Sequence, residues 1–291
     1  MSIARCVVDA RAALGETPVW SADENRLYWI DCIAGAIHRY DPVTAEDTLM
    51  PVAVEGYLGS VSLRAAGGLL VLAGKALWAL DAGSTAPRRL AGVEADMTGN
   101  LVNDGKCDPA GRFWFGTMHA AESEATGALY RFDGAEVVKI DQGFTCANGM
   151  GWSPDGKTFY LVDMMPGNVL AYDFDPGSGA IHNRRRLFSI PGSEGMPDGL
   201  CVDSEGGIWV AHWDGWRISR WSPAGERLQT LEVPVQRPTC PIFGGPGLDT
   251  LYLTSSAADL PAESLARGPH AGALFAIDAG VSGLPIAEFA G

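Results

Sequence analysis

The feature that most constrains this chain is a repeat. Six times, at residues 16, 59, 103, 148, 198 and 239, an apolar stretch of about five residues leads through a turn rich in Asp, Pro and Gly into an aromatic-bearing strand pattern. Successive starts lie 43, 44, 45, 50 and 41 residues apart, the spacing of one propeller blade per repeat. About twenty residues after each start comes a further alternating run, such as GAIHRYDP, GALYRFDG or GALFAIDAG, that ends in turn chemistry. Four short strands per unit and six units predict an all-β fold, a six-bladed β-propeller of four-stranded antiparallel blades around a central channel. The segment ARCVVDA reads as a strand without a repeat of its own. It is expected to complete the last blade and close the ring, which removes unpaired strand edges.

The repeat also sets the domain reading: residues 1–291 form a single propeller, because no linker separates the units. A hydrophobic share of 47%, with 37 glycines and 18 prolines, suits a turn-rich fold with an ample core. The net charge of −14 repels a phosphate backbone, so nucleic acid is not an expected partner. The basic run Arg184–Arg185–Arg186 reads as a solvated connection between two strands. Neither a signal peptide nor a membrane span is expected. The six scattered cysteines, Cys6, Cys32, Cys107, Cys146, Cys201 and Cys240, read as reduced, buried packing residues of a cytoplasmic protein, with Cys146–Cys201 the one pairing worth weighing. A monomer or small homo-oligomer is expected.

Two motifs mislead. Residues 151–158, GWSPDGKT, match the phosphate-loop pattern, but that loop requires a following helix, and here FYLV continues as a strand while SPDG fills the repeat's hairpin slot. The five histidines show no paired metal spacing; His119 alone, after the strand FWF, is retained as a residue able to reach a pocket rim. No nucleophile elbow is present. Trp29, Trp78, Trp114 and Trp209 read as inter-blade packing.

In a propeller the first strand of each blade lines the channel, so the repeat starts converge. That ring reads Glu16, Gly59, Asn103, Asn148, Asp198 and Thr239, with Asp104 adjoining. Carboxylates and amides aimed into one volume repel and desolvate one another unless a cation lies among them. An oxygen donor set of this kind favours Ca²⁺, Mg²⁺ or Mn²⁺, and Zn²⁺ and Fe²⁺ also accept it. Against this stands the plainer reading that NG and DG are turn dipeptides around a hydrated channel. The alignment of the whole set favours the cation.

At GETPVW, NDGKCDPAGRFWFGTM, NGMGWS, PDGLCVDSEGGIWVA and CPIFGG the chain resembles, nearly end to end, the family of senescence marker protein (regucalcin), gluconolactonases and luciferin-regenerating enzyme. The resemblance implies one divalent metal held by Glu16, Asn148 and Asp198, with Asn103 holding substrate beside it, and hydrolysis of a sugar lactone such as xylonolactone or gluconolactone. The family's animal members carry an Arg that binds substrate where this chain has Leu101; that departure bears on the choice of sugar. Asp198, or failing it Asp104, is the expected base, and Asn103, Asp104, Leu101 and His119 are the expected substrate-side residues. Hydrolysis of other esters or phosphotriesters, and a non-catalytic calcium-binding propeller, stand as alternatives.

Overall fold

The computed structural model describes residues 4–50 and 52–291. Its strands form six four-stranded antiparallel sheets in chain order from the axis outward. The innermost strands are Gly15–Ser21, Leu58–Leu63, Asn100–Cys107, Ala147–Trp152, Met196–Val202 and Pro238–Gly244. These are the six repeat starts, so the expected six-bladed propeller is the observed one. The strand Arg5–Val8 pairs antiparallel with Leu274–Asp278 as the outermost strand of the sixth blade. Closure therefore comes from the N-terminal strand, as the sequence suggested, and Thr239 adds to it by donating from Oγ1 to the Gly15 carbonyl of blade 1 at 2.6 Å.

Apolar side chains from facing sheets fill the wedges between blades, and Trp29, Trp114 and Trp209 are wholly buried there. Two of these indoles meet a carboxylate that also ties up the adjacent hairpin. Asp108 accepts from Ala110 and Arg112 backbone N–H groups, Arg112 Nε and Trp114 Nε1. Asp203 does the same with Glu205, Gly207, Arg220 Nε and Trp209 Nε1. Each buried acid is thus paired and fully hydrogen-bonded, the condition under which burial is tolerated. Trp78 is only partly buried; its Nε1 donates to the Ala73 carbonyl.

Residues 151–158 form the hairpin between Ala147–Trp152 and Thr158–Asp163, with no helix after it, so the phosphate-loop match is a product of the repeat. The Arg184–Arg186 run is not a connection. It lies inside the outermost strand of blade 4, Ala180–Ser189, where the arginines are exposed; Arg184 reaches Asp141 and Arg185 reaches Asp173. An outermost strand has little core to cover, so its pattern lacks the apolar alternation that marks the inner ones. All six cysteines are free thiols, and Cys6 is half-buried where full burial was expected.

Residues 282–291 hold a feature that no repeat announces. They cross the end of the channel remote from the repeat starts, bonding to blade 5 through Ser204, to Leu248 of blade 6, to Leu63 of blade 2 and to Gly111 of blade 3. Phe289, buried, stacks on Phe132 at 5.4 Å. Above this crossing lies a cavity of about 240 Å³ whose walls include Trp152, Val202, Ile242, Phe243 and Ile286. Its walls are mostly apolar, with Lys106 and Ser153 the polar side chains among them, so it is poorly matched to a polyhydroxyl ligand. That end being strapped, the ring of repeat starts faces the opposite mouth.

Candidate metal centre

The six inner strands share an irregularity at one place. Pairing with the second strand slips between Glu16 and Val19, Leu58 and Ser60, Val102 and Gly105, Ala147 and Met150, Pro197 and Leu200, and Pro238 and Pro241. Gly59, Asn103, Asn148, Asp198 and Thr239 lie within these slips, and Glu16, paired with Ile30, is the last residue before its own. A bulge breaks the alternation of a strand and re-aims a side chain, which lets residues otherwise committed to sheet packing point along the channel. Thr17, at φ 38°, takes the left-handed backbone that the bulge needs. The NG and DG dipeptides are accordingly not turns. Their glycines permit close passage of the next blade: a Cβ on Gly199 would lie 2.5 Å from Cys240 Sγ, and one on Gly149 2.4 Å from the Leu200 nitrogen.

Glu16, Asn148 and Asp198 are all buried, from blades 1, 4 and 5. Asn148 Nδ2 donates to Asp198 Oδ1 at 2.6 Å, while its Oδ1 accepts from the Gly149 N–H. Glu16 Oε2 accepts from the Thr17 N–H at 2.9 Å. Asp104, from blade 3, is equally buried; its Oδ1 accepts from the Gly105 N–H, and its Oδ2 has no hydrogen-bond partner. The contrast with Asp108 and Asp203 is direct. Those acids are as deeply buried and take four hydrogen bonds each, whereas Asp104 takes one.

The electrostatics follow. Burial, then repulsion from Asp198 and Asp104, holds the Glu16 carboxyl well above its usual range. Burial and Asp104 do the same to Asp198, against the hydrogen bond from Asn148. Burial also raises Asp104, partly offset by Lys106 and by the Gly105 N–H. Lys106 Nζ is anchored on the Leu200 carbonyl at 2.8 Å and lowers both Glu16 and Asp104. One ammonium set against three buried carboxylates that repel one another leaves an acidic pocket with an orphaned oxygen. Oxygen donors of this charge suit a hard divalent cation, so Glu16, Asn148 and Asp198, with Asp104 beside them, fit the metal that the ring implies.

The expected substrate-side residues fall less evenly. Asn103 is half-buried; Nδ2 donates to the Ala147 carbonyl at 3.1 Å, and among the described residues no hydrogen bond occupies its Oδ1. Leu101 lies two residues earlier on the same strand, opposite Met118, among apolar neighbours. His119 stands at the mouth end of Phe113–His119, its Nδ1 against Ser123 Oγ at 3.2 Å, and none of its contacts reaches Glu16, Asn148 or Asp198. Sequence reasoning missed Glu122. On the turn after His119, at φ 50°, its carboxylate adds to the field that raises Asp198 and Cys146. No repeat position signals it; only its place on the mouth-side turn does.

The fold and this ring define a class: a six-bladed propeller with an acidic, hydrogen-bond-deficient site on its axis. The chain belongs to the SMP-30/gluconolactonase/LRE-like family, which residues 14–257 match. Regucalcin of Gallus gallus is 37% identical over 295 residues, covering 98% of each chain. Among solved structures, a luciferin-regenerating enzyme is 30% identical, covers 100% of both chains and superposes with a TM-score of 0.91. A calcium-binding protein, regucalcin, from Agrobacterium tumefaciens is 25% identical, covers 98% of this chain and 97% of its own, and gives a TM-score of 0.93.

Proposed function

We propose that this protein is a metal-dependent sugar lactonase, one propeller domain that opens an aldonolactone to the aldonic acid. The observation that carries the proposal is the axial set of Glu16, Asp104, Asn148 and Asp198, three buried carboxylates that repel one another, with Asp104 Oδ2 unpartnered. Family membership supports it, since gluconolactonases share this family. The calcium-binding regucalcin among the structural relatives supports a divalent ion here, held by Glu16, Asn148 and Asp198. Such an ion supplies Lewis-acid polarisation of the lactone carbonyl and stabilises the charge that grows on its oxygen.

The chain's own groups do the rest. Asn103, anchored through Nδ2, offers its amide oxygen to a sugar hydroxyl and so fixes the ring over the site. Asp198 takes a proton from the attacking water; burial and Asp104 raise its basicity, the direction a general base requires. When the acyl–oxygen bond breaks, the ring oxygen leaves as an alkoxide still tethered to the product, and the proton held on Asp198 returns to it. Leu101, in place of an Arg, removes a cation from the mouth and selects among lactones by shape rather than charge.

The test is acid release from a panel of aldono-1,4- and 1,5-lactones, using protein as purified, then chelated, then resupplied with single divalent ions. Opening well above the spontaneous rate, lost on chelation and restored by an ion, is the expected result. Binding of an ion with every lactone ignored, while other esters or phosphotriesters are hydrolysed, moves the substrate class. An ion bound with no hydrolysis at all leaves a calcium-binding propeller.

A further inference from the structure

We propose a second, separate metal site on the closing blade, formed by Cys6, Asp9 and His270 and suited to zinc or another divalent transition ion with affinity for thiolate. Among the described residues this is the one group of three His, Cys, Asp or Glu side chains whose ligand atoms all lie within 4.8 Å of one another. It mixes sulfur, nitrogen and oxygen donors, a combination that selects a borderline-soft ion such as Zn²⁺ and contrasts with the oxygen set on the axis. His270 Nδ1 and Asp9 Oδ2 are 3.5 Å apart. That is long for a charged hydrogen bond, but two ligands on one tetrahedral zinc are separated by about 3.3–3.6 Å.

Local structure supports the placement. Pairing of Arg5–Val8 with Leu274–Asp278 slips between Cys6 and Val8, a bulge that turns side chains out of their regular alternation. Asp9 follows directly. Two residues beyond His270, the Gly272 carbonyl accepts from the Ala12 N–H at 2.9 Å, so the segments carrying the ligands are pinned together before any ion arrives. Among the described residues, no hydrogen bond other than the His270–Asp9 approach claims the Asp9 carboxylate or the His270 ring. Burial, then Asp9, pushes the Cys6 thiol up from its ordinary value, partly offset by the Val8 N–H beside it. Binding therefore exchanges the thiol proton for the ion and releases that proton to solvent, and water completes the coordination. The ion would staple the strand that closes the ring to the segment leading into its partner strand.

Full-length protein carrying Asp198→Ala, to weaken the axial site, is titrated with Co²⁺ and followed by absorption. The expected result is about one equivalent bound with a thiolate-to-cobalt charge-transfer band and the visible bands of tetrahedral cobalt, bleached by one equivalent of Zn²⁺. Adding Cys6→Ser should abolish the charge-transfer band, and adding His270→Ala, on an exposed loop, should weaken binding at least tenfold. Zn²⁺ should raise the melting temperature of the Asp198→Ala protein and not of its Cys6→Ser derivative, with both melting alike when no metal is present. Absence of a sulfur-to-cobalt band, or a band that survives Cys6→Ser, overturns the proposal.

Discussion

Asp104→Asn separates a crowded carboxylate site from an ordinary polar channel, because its effect on stability should change sign with metal. Asn is nearly isosteric with Asp, and its Oδ1 can still accept from the Gly105 N–H. What the substitution removes is a buried negative charge whose Oδ2 has no partner and which repels Asp198 and Glu16. Asn still leaves a neutral polar atom at that place, so the relief is the extra cost of a charge over a neutral group there, taken as about 1–3 kcal/mol. With an unfolding entropy of about 2.1 cal/mol/K per residue, a chain of 291 residues gains about 2–5 °C in Tm from that relief. In chelated protein at about pH 8, well to the alkaline side of the ordinary carboxylate range, Asp104→Asn is therefore expected to melt about 2–5 °C higher than the parent. In metal-saturated protein the missing charge weakens the ion; a tenfold loss of affinity is about 1.4 kcal/mol, so the gain should vanish or reverse. Differential scanning calorimetry of both proteins, with chelator and with saturating Ca²⁺ or Mn²⁺, reads both signs. A fall in Tm under chelator would refute the reasoning, since Asp104 would then be a satisfied structural acid like Asp108.

Asp198→Ala is expected to lower lactone hydrolysis by at least 10²-fold, the usual scale of a lost general base, and to weaken metal binding, with near-parental circular dichroism; near-normal turnover with metal bound would remove Asp198 from the mechanism. The chelated protein should lose stability as pH rises. Glu16, Asp104 and Asp198 have folded-state pKa values above their unfolded ones, so their contribution is fully present below the unfolded pKa of about 4 and is lost as pH climbs through the raised values. Thermal melts across pH check this, and a flat profile would contradict it. Metal affinity should run the opposite way, falling with acid as the ligands protonate, which calorimetric titration measures. Gly199→Ala should cost about 1–3 kcal/mol by overpacking against Cys240 and weaken the ion by displacing Asp198; unchanged Tm and affinity would show that the blades have slack there.

Much of this was legible in the sequence. The repeat gave the blade count, the strand order and the ring column, and Arg5–Val8 closes the last blade as its unrepeated alternation suggested. The phosphate-loop match resolved correctly because the repeat assigned SPDG to a hairpin. Other features had no local signature. NG and DG read as turns because that is their commonest use, and only the neighbouring blade, at 2.4–2.5 Å from an added Cβ, shows why glycine is required in a bulge. The Arg184–Arg186 run looked like a connection because an outermost strand lacks the apolar alternation by which strands are recognised.

By itself the sequence determined what periodicity can encode: an all-β ring of six units, which strand of each unit is innermost, and the family to which the chain belongs. Tertiary structure decided what depends on distance between residues remote in the chain. It left Asp104 Oδ2 without a partner while giving Asp108 four, set Lys106 on the Leu200 carbonyl, drew residues 282–291 across one end of the channel, and brought Cys6 and Asp9 to His270. The physical reason is that a repeat fixes the backbone path of each blade, whereas burial, repulsion and coordination are set by what the other blades place within a few ångströms.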